Sequence, residues 1–160
     1  MTKEIPKNGL HTEYYDSGQK RSEVNYKDDK RDGKWTNWDE NGQKRFEGNY
    51  KDGTSNGKFT WWYENGQIKA ESTSKDGNEH GKWTVWYESG QKESEANYKD
   101  GMEDGKYTQW WENGQKWREG NNKDGMTDGK MTLWHEDGQI IAEANFKEGE
   151  CISGDCDYFK

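Results

Sequence analysis

Residues 81–104 read GKWTVWYESGQKESEANYKDGMED, and this line of 24 residues decides the fold. Four of its residues are aromatic, and nearly all the others are polar or glycine. A segment with so little apolar surface cannot bury a core of its own. Nearly the same line recurs six times without insertion, in repeats that begin at Gly9, Gly33, Gly57, Gly81, Gly105 and Gly129. We therefore expect each repeat, with positions numbered 1 to 24 from these glycines, to fold by packing on its neighbours.

The composition separates this chain from a disordered one. Only 26% of the 160 residues are hydrophobic and 35% are charged, which is typical of disorder. However, 10 Trp, 9 Tyr and 4 Phe concentrate the apolar surface in a few large rings. Regular glycines with a single proline, Pro6, indicate many tight turns between paired strands.

Each repeat has the pattern of a β-hairpin. Positions 9 and 10 are Asn-Gly in three repeats and Ser-Gly or Asp-Gly in the others, which are signals of a two-residue turn. The flanking runs carry Trp, Thr, Tyr and Val, which suit strands. A second, looser turn of Lys-Asp-Gly and three variable residues leads to the next repeat. The sequence thus predicts an all-β fold, an elongated single-sheet meander of six 24-residue hairpins with about twelve strands.

The predicted organisation has three parts. Residues 1–8 form an N-terminal lead-in and residues 153–160 a C-terminal cap. The repeats fill residues 9–152, as 9–32, 33–56, 57–80, 81–104, 105–128 and 129–152.

The predicted register follows from a two-residue type I′ turn at Asn-Gly. It pairs position 8 with 11, 6 with 13, 4 with 15 and 3 with 16. One face then holds positions 3, 5, 7, 12, 14, 16 and 18, where large aromatics lie opposite small residues. The other face is polar apart from the central residue at position 6. A turn with one extra bulge residue would shift this pairing, but the two-residue turn separates the faces more cleanly.

An aromatic ladder at position 6 is the candidate binding feature. Its members are Tyr14, Trp38, Trp62, Trp86, Trp110 and Trp134. Exposed stacked rings could bind sugars, a choline-like cation or an extended segment of a partner. Long side chains at position 13, such as Arg21 and Arg45, would instead lie over the rings and stabilise a single-layer sheet. The aromatic packing favours this structural interpretation over a ligand platform.

No pattern in the chain predicts an enzyme, a cofactor or a metal site. The invariant Glu at position 15 fits no calcium loop, and the three histidines fall at unrelated positions. Cys151 and Cys156 either form a disulfide that staples the terminal edge strand or remain two free thiols.

The charge limits the classes of partner. A net charge of −8 disfavours nucleic acids and anionic membranes, which prefer basic surfaces. No stretch is apolar enough to span a bilayer, and residues 1–15 have no apolar segment of the signal-peptide type. We expect a soluble chain, cytoplasmic as it stands, whose export would require a presequence that has been removed. Its oligomeric state is left open by the two unpaired sheet edges.

The pattern GKWTxWYENGQKxxExNYKDG, over about residues 9–150, resembles the MORN-repeat variant family. The first repeat departs from it at Leu10 and Asp29. The resemblance implies a MORN-like solenoid and a non-enzymatic scaffold for protein–protein interaction. Because bacterial proteins of this variant are commonly described as antitoxin components, it also implies a toxin or effector as the partner. The alternatives are a carbohydrate- or choline-binding cell-wall module and phospholipid binding, the latter disfavoured by the acidic charge.

Overall fold

The computed structural model describes residues 7–160, so most of the predicted lead-in, residues 1–6, lies outside the described residues. The chain divides into two compact units, a first unit that ends at Asn78 and a second that begins at Glu79. Each unit is a meander of antiparallel strands joined by hairpin turns. The predicted all-β hairpin fold is therefore confirmed.

The first unit contains seven complete strands. They are β1 (Gly9–Tyr14), β2 (Lys20–Lys27), β3 (Lys30–Trp38), β4 (Lys44–Lys51), β5 (Thr54–Ser55), β6 (Gly57–Trp62) and β7 (Ile68–Lys75). The strand order is β1-β2-β3-β4-β6-β7, and the short β5 pairs with β4. A further short strand, β8 (Asn78–Glu79), lies at the division between the units.

The second unit continues the same pattern. Its strands are β9 (Gly81–Trp86), β10 (Lys92–Lys99), β11 (Met102–Trp110), β12 (Lys116–Lys123), β13 (Met126–Thr127), β14 (Gly129–Trp134), β15 (Ile140–Lys147) and β16 (Glu150–Gly154). The order is β9-β10-β11-β12-β14-β15-β16, with β13 beside β12. A short 3-10 helix, η1 (Cys156–Phe159), follows. Residues 7–160 thus hold sixteen strands, not about twelve, because three strands are interrupted and the cap adds one.

The Asn-Gly turn has three residues, so the predicted two-residue turn is wrong. In the second repeat Asp39 N donates to Gln43 O at 2.7 Å, and Gly42 N donates to Asp39 O at 2.9 Å. Only Gly42 has a positive φ, of 84°, whereas a type I′ turn needs a positive φ at both central residues. The Asn41 side chain accepts a hydrogen bond from Gln43 N at 2.9 Å and stabilises the loop.

A β-bulge beside this turn changes the register. Trp38 pairs with Lys44 and Asn37 with Phe46, so Arg45 is the extra residue. The predicted pairs of position 6 with 13 and 8 with 11 are wrong for this reason. The bulge also places positions 12 and 13 on the faces opposite to those predicted, as their contacts described below show.

The predicted register is correct away from the turn. Thr36 pairs with Glu47 (position 4 with 15), and Trp35 pairs with Gly48 (position 3 with 16). The bulge residue therefore compensates for the longer loop, and the rest of the hairpin keeps its faces.

The tight two-residue turn occurs at Asp-Gly, where the sequence predicted a looser one. Lys51 pairs with Thr54, and only Asp52 and Gly53 lie between them. Their φ values of 49° and 87° are those of a type I′ turn, which matches the twist of paired strands.

An invariant glycine and an asparagine shape the link between repeats. Gly57 has a φ of 106° in an irregular stretch that faces Asn49. The Asn49 side chain donates to Lys58 O at 3.0 Å, and the backbone carbonyl of Asn49 accepts from Asn56 N at 2.9 Å. The asparagine thus satisfies backbone groups that the interrupted strand pairing leaves open.

The apolar core lies on one face of each meander. Its buried residues occupy positions 3, 14, 16 and 18, as predicted, and include Phe59 in the first unit and Met131 in the second. On the opposite face the threonines of position 4 are buried from Thr36 onward. Because a single-layer sheet has no second layer, side chains on both faces must cover the backbone.

Candidate functional site

Two faces with different chemistry result from this register. We call the lysine face the one that carries positions 2, 4, 6, 12, 15 and 17, and the aromatic face the one that carries positions 3, 5, 7, 13, 14, 16 and 18. Lys44 at position 12 contacts Glu47 at 2.7 Å on the lysine face. Arg45 at position 13 contacts Asp39 at 3.1 Å on the aromatic face.

The aromatic ladder lies on the lysine face. A lysine from position 12 of the preceding repeat lies over the next tryptophan, and its Nζ is 5.4 to 5.8 Å from the ring centroid. The pairs are Lys20 with Trp38, Lys44 with Trp62, Lys92 with Trp110 and Lys116 with Trp134. The four rings are half-buried, whereas Tyr14 at the start is 52% exposed. The lysines contribute cation–π contacts here, and a ligand on this ladder remains a prediction.

The glutamates of position 15 hold these lysines in place. Glu47 accepts from Lys34 at 2.8 Å and from Lys44 at 2.7 Å. Partial burial acts to raise the pKa of this carboxyl, but the hydrogen bonds from the two lysines outweigh it and keep the pKa below its usual value. The same clamp forms at Glu95 and Glu119, where position 12 is again lysine.

A recess of the first unit opens on the aromatic face and has a volume of about 660 Å³. Side chains from the first three repeats line it, including Tyr15, Arg21, Trp35, Arg45, Phe46 and Trp61. The rings support one another, since the Phe46 centroid lies 5.1 Å from that of Trp35 and 5.6 Å from that of Trp61. The result is a preformed aromatic wall.

Hydrogen bonds between the first two repeats orient two rings of this wall. Trp35 Nε1 donates to Ser22 Oγ at 3.0 Å, and Tyr15 Oη donates to the Trp38 carbonyl at 2.8 Å. Both bonds join one repeat to the next, so the rings are oriented by the stacking of the repeats.

Three arginines surround this wall. Arg21 contacts Glu13 at 2.8 Å, and the hydrogen bond from Arg21 lowers the pKa of that carboxyl despite some desolvation. Arg45 pairs with Asp39. Arg31 lies over Trp35, 4.2 Å from the ring centroid, and forms no ion pair within the described residues 7–160. Arginine, tryptophan and tyrosine together are typical of protein-binding hot spots.

The sequence did not reveal this recess. The predicted register places position 13 on the wrong face and so separates Arg21 and Arg45 from the aromatic wall. The sequence nevertheless contains a signal of the recess. Trp61 is the only aromatic residue at position 5, Phe46 is the only one at position 14, and the two lie in adjacent repeats.

The C-terminal segment covers the aromatic face of the second unit. Cys151 and Cys156 are joined in a disulfide, with a Cα–Cα distance of 5.7 Å. The bond holds η1 so that Phe159 packs edge-on against Phe146, with centroids 5.5 Å apart. A recess of about 440 Å³ remains between this segment and the sheet.

The described residues provide no group of three or more His, Cys, Asp or Glu side chains placed to bind a metal. Within the same residues no helix has the length and apolar character needed to cross a membrane.

The comparison with known families matches this architecture. A family model described as MORN repeat variant matches residues 7–28, 31–52, 55–76, 79–100, 103–124 and 127–148. The matched segments follow the same 24-residue period as the repeats defined above. No curated protein matches the chain.

Proposed function

Because the chain belongs to the MORN repeat variant family, we propose that it is a scaffold that binds a partner protein through the aromatic face of its first unit. MORN repeats are generally associated with binding of proteins or membrane lipids, and they form scaffolds that are not typically enzymatic. The recess between Tyr15 and Trp61 is the observation that carries the proposal.

Charge and residue type favour a protein over a lipid. The net charge of −8 repels anionic membranes, and the lysines of the opposite face are neutralised by glutamates. The recess instead offers rings packed against one another, which lose little conformational entropy when they bind a protein, together with arginines.

The alternative function, binding of a choline-like cation to the aromatic ladder, is weaker on the same grounds of charge and residue type. The Nζ of Lys44 and its equivalents lie where a choline-like cation would bind the tryptophan rings. Such a ligand would have to displace a lysine that is hydrogen-bonded to glutamate.

The finer proposal is that the partner is a cognate toxin or effector, as the resemblance to antitoxin-type repeat proteins implies. An interaction of this kind needs a stable surface that preexists in the free scaffold. The aromatic wall held by Tyr15 and Trp35 has this property.

The test is co-purification of the tagged full chain from its source cells, followed by identification of the captured protein. The variant is Arg45→Ala, and the matched control is Lys69→Ala, a cation at the same position 13 that does not line the recess. We expect Lys69→Ala to retain the partner and Arg45→Ala to lose most of it. If both variants capture the same proteins as the wild type, the recess is not the binding surface.

A further inference from the structure

The C-terminal segment provides an internal example of what the aromatic face binds. The repeat residues that line the recess beneath η1 include five positions, 13 and 14 of the fifth repeat and 3, 5 and 18 of the sixth, beside Thr127 and Gly149. The residues at these positions are Trp117, Arg118, Met131, Leu133 and Phe146. The Phe159 ring packs against the buried cluster that contains Met131 and Phe146, while Tyr158 remains 64% exposed.

The same five positions line the recess of the first unit. Positions 13 and 14 of the first repeat and 3, 5 and 18 of the second are Arg21, Ser22, Trp35, Asn37 and Tyr50. The repeat therefore builds the same kind of surface in both units. In the second unit the chain's own C-terminal segment forms one wall of the recess, whereas in the first unit residues of the repeats alone line it.

The two surfaces differ in chemistry at three of these positions. Trp117 and Leu133 are apolar, whereas Arg21 and Asn37 at the same positions are polar. At position 14 the second unit has the cation Arg118 where the first unit has Ser22. Arg31 and Arg45 add two further cations beside the recess of the first unit.

The charges beside the recess are not balanced. Arg21 and Arg45 line the recess and pair with the carboxylates of Glu13 and Asp39. Arg31 lies over the lining residue Trp35 and forms no ion pair within residues 7–160. A local positive charge in a chain of net charge −8 is complementary to an acidic ligand.

From these observations, and on the basis of the function proposed above, we propose that the recess of the first unit binds a short acidic segment of the partner that carries an aromatic anchor. The chain's own sequence DCDYFK, residues 155–160, has this composition. The anchor ring would pack on the wall formed by Phe46 and Trp61, and the acidic side chains would meet the arginine guanidinium groups.

The probe for a test is a synthetic peptide of residues 154–160 in which serine replaces Cys156, titrated into the full chain by calorimetry. We expect a Kd on the order of 100 µM, as is usual for a short segment with one anchor. Arg45→Ala should weaken binding about two- to fivefold because its guanidinium is solvent-exposed. Trp61→Ala should weaken it about tenfold, and Lys69→Ala should leave it unchanged.

Peptide variants check the two features of the ligand. A peptide with lysine in place of Asp155 and Asp157, or with alanine in place of Phe159, should bind at least about fivefold more weakly. Thermal unfolding of each protein variant shows whether it is folded, and Arg45→Ala at an exposed side chain keeps the test decisive if Trp61→Ala does not fold.

Several results would overturn the proposal. The first is that the peptide does not bind at millimolar concentration. The second is that Arg45→Ala and Trp61→Ala leave peptide binding unchanged. The third is that cell-wall glycans bind in place of the peptide and that this binding depends on Arg45. The proposal would also be overturned if the wild type dimerises with increasing concentration and Arg45→Ala does not. The ligand of the recess would then be a second copy of the chain. If Arg45-dependent capture of a partner persists while the peptide fails to bind, the proposed function stands and this inference alone falls.

Discussion

At the scale of single residues, one methyl group decides how the wall of the recess packs. Position 16 is valine, serine, alanine or glycine, and it is glycine at Gly48 and Gly120. A Cβ built there would lie 2.8 Å from Phe46 Cζ and even closer to the Phe59 ring. A small side-chain movement cannot relieve these contacts, because the Phe46 and Phe59 rings are both packed against other aromatic rings.

Gly48→Ala should therefore destabilise the first unit by about 1–3 kcal/mol, as overpacking of a filled core does. Urea unfolding followed by tryptophan fluorescence measures the change. The control is Ser72→Ala, at the same position of the next repeat, where a buried side chain is already accommodated. A midpoint for Gly48→Ala equal to that of the control would contradict the prediction.

Tyr98 illustrates how a single hydroxyl is tuned by its surroundings. Its Oη donates to Glu103 Oε1 at 3.0 Å, and Asn122 donates to the other oxygen of that carboxylate. Burial, followed by this hydrogen bond and the charge of Glu103, raises the pKa of Tyr98 to about 12. The folded-state pKa lies above the usual value of about 10, so the contribution to stability is complete below that pH and is lost as pH rises toward 12.

The ultraviolet absorbance of tyrosinate during an alkaline titration tests this prediction. One tyrosine should titrate near pH 12 in the wild type, and this component should be absent in Tyr98→Phe. Glu103→Gln should move the component to lower pH because the negative charge is removed. A titration curve unchanged by Tyr98→Phe would refute the assignment.

At the scale of secondary-structure elements, the hairpin was predictable but its turns were not. Asn-Gly and Asp-Gly are equivalent turn signals in sequence, yet Asn41-Gly42 lies in a three-residue loop and Asp52-Gly53 in a two-residue turn. The two turns differ in the φ of the residue before glycine, which is positive at Asp52 and not at Asn41.

The length of the turn also determines which residues of the recess the sequence can place on the correct face. The pairs of position 4 with 15 and 3 with 16 survive either turn, so the core face was correctly identified. Arg45, in contrast, is the bulge residue, and its face depends on the loop length. The sequence therefore predicted the aromatic face but not the arginines that lie on it.

The clamp of two lysines on one glutamate is a property of the paired strands. Partial burial works against ionisation of Glu95, but hydrogen bonds from Lys82 and Lys92 prevail and lower its pKa from 4.5. Because the folded-state pKa is lowered, the stabilisation is present above pH 4.5 and is lost as pH falls through the lower folded value.

Glu95→Gln should reduce stability at neutral pH by about 0.5–1 kcal/mol, since the lysine ends are solvent-exposed, and should flatten the acidic limb of the stability curve. Urea midpoints measured from neutral pH down to about pH 3 provide the test. Glu71→Gln is the control, because Ile68 replaces one lysine of that clamp and a smaller loss is expected. Equal effects of the two substitutions would show that the second lysine contributes nothing.

At the scale of the whole molecule, stability is approximately a sum over neighbouring repeats, and the last repeat has a neighbour on one side only. The sequence predicted a cap at residues 153–160 and left the state of the two cysteines open. In the structure, Cys151 and Cys156 are joined, and Phe159 packs against Phe146 of the sixth repeat. The cap therefore adds contacts to the sixth repeat, on the side where the chain has no seventh repeat in residues 7–160.

Removal of the disulfide should loosen this cap. For a loop of this length the chain-entropy relation gives a stabilisation of about 2 kcal/mol, which a Cys151→Ser, Cys156→Ser double variant should lose. Hydrogen exchange should show faster exchange in β15, β16 and η1, while the amides of β1 to β4 keep their protection. A reducing agent should reproduce this pattern in the wild type and change nothing in the double variant. Uniform loss of protection across both units would show that the cap stabilises the chain globally, contrary to nearest-neighbour behaviour.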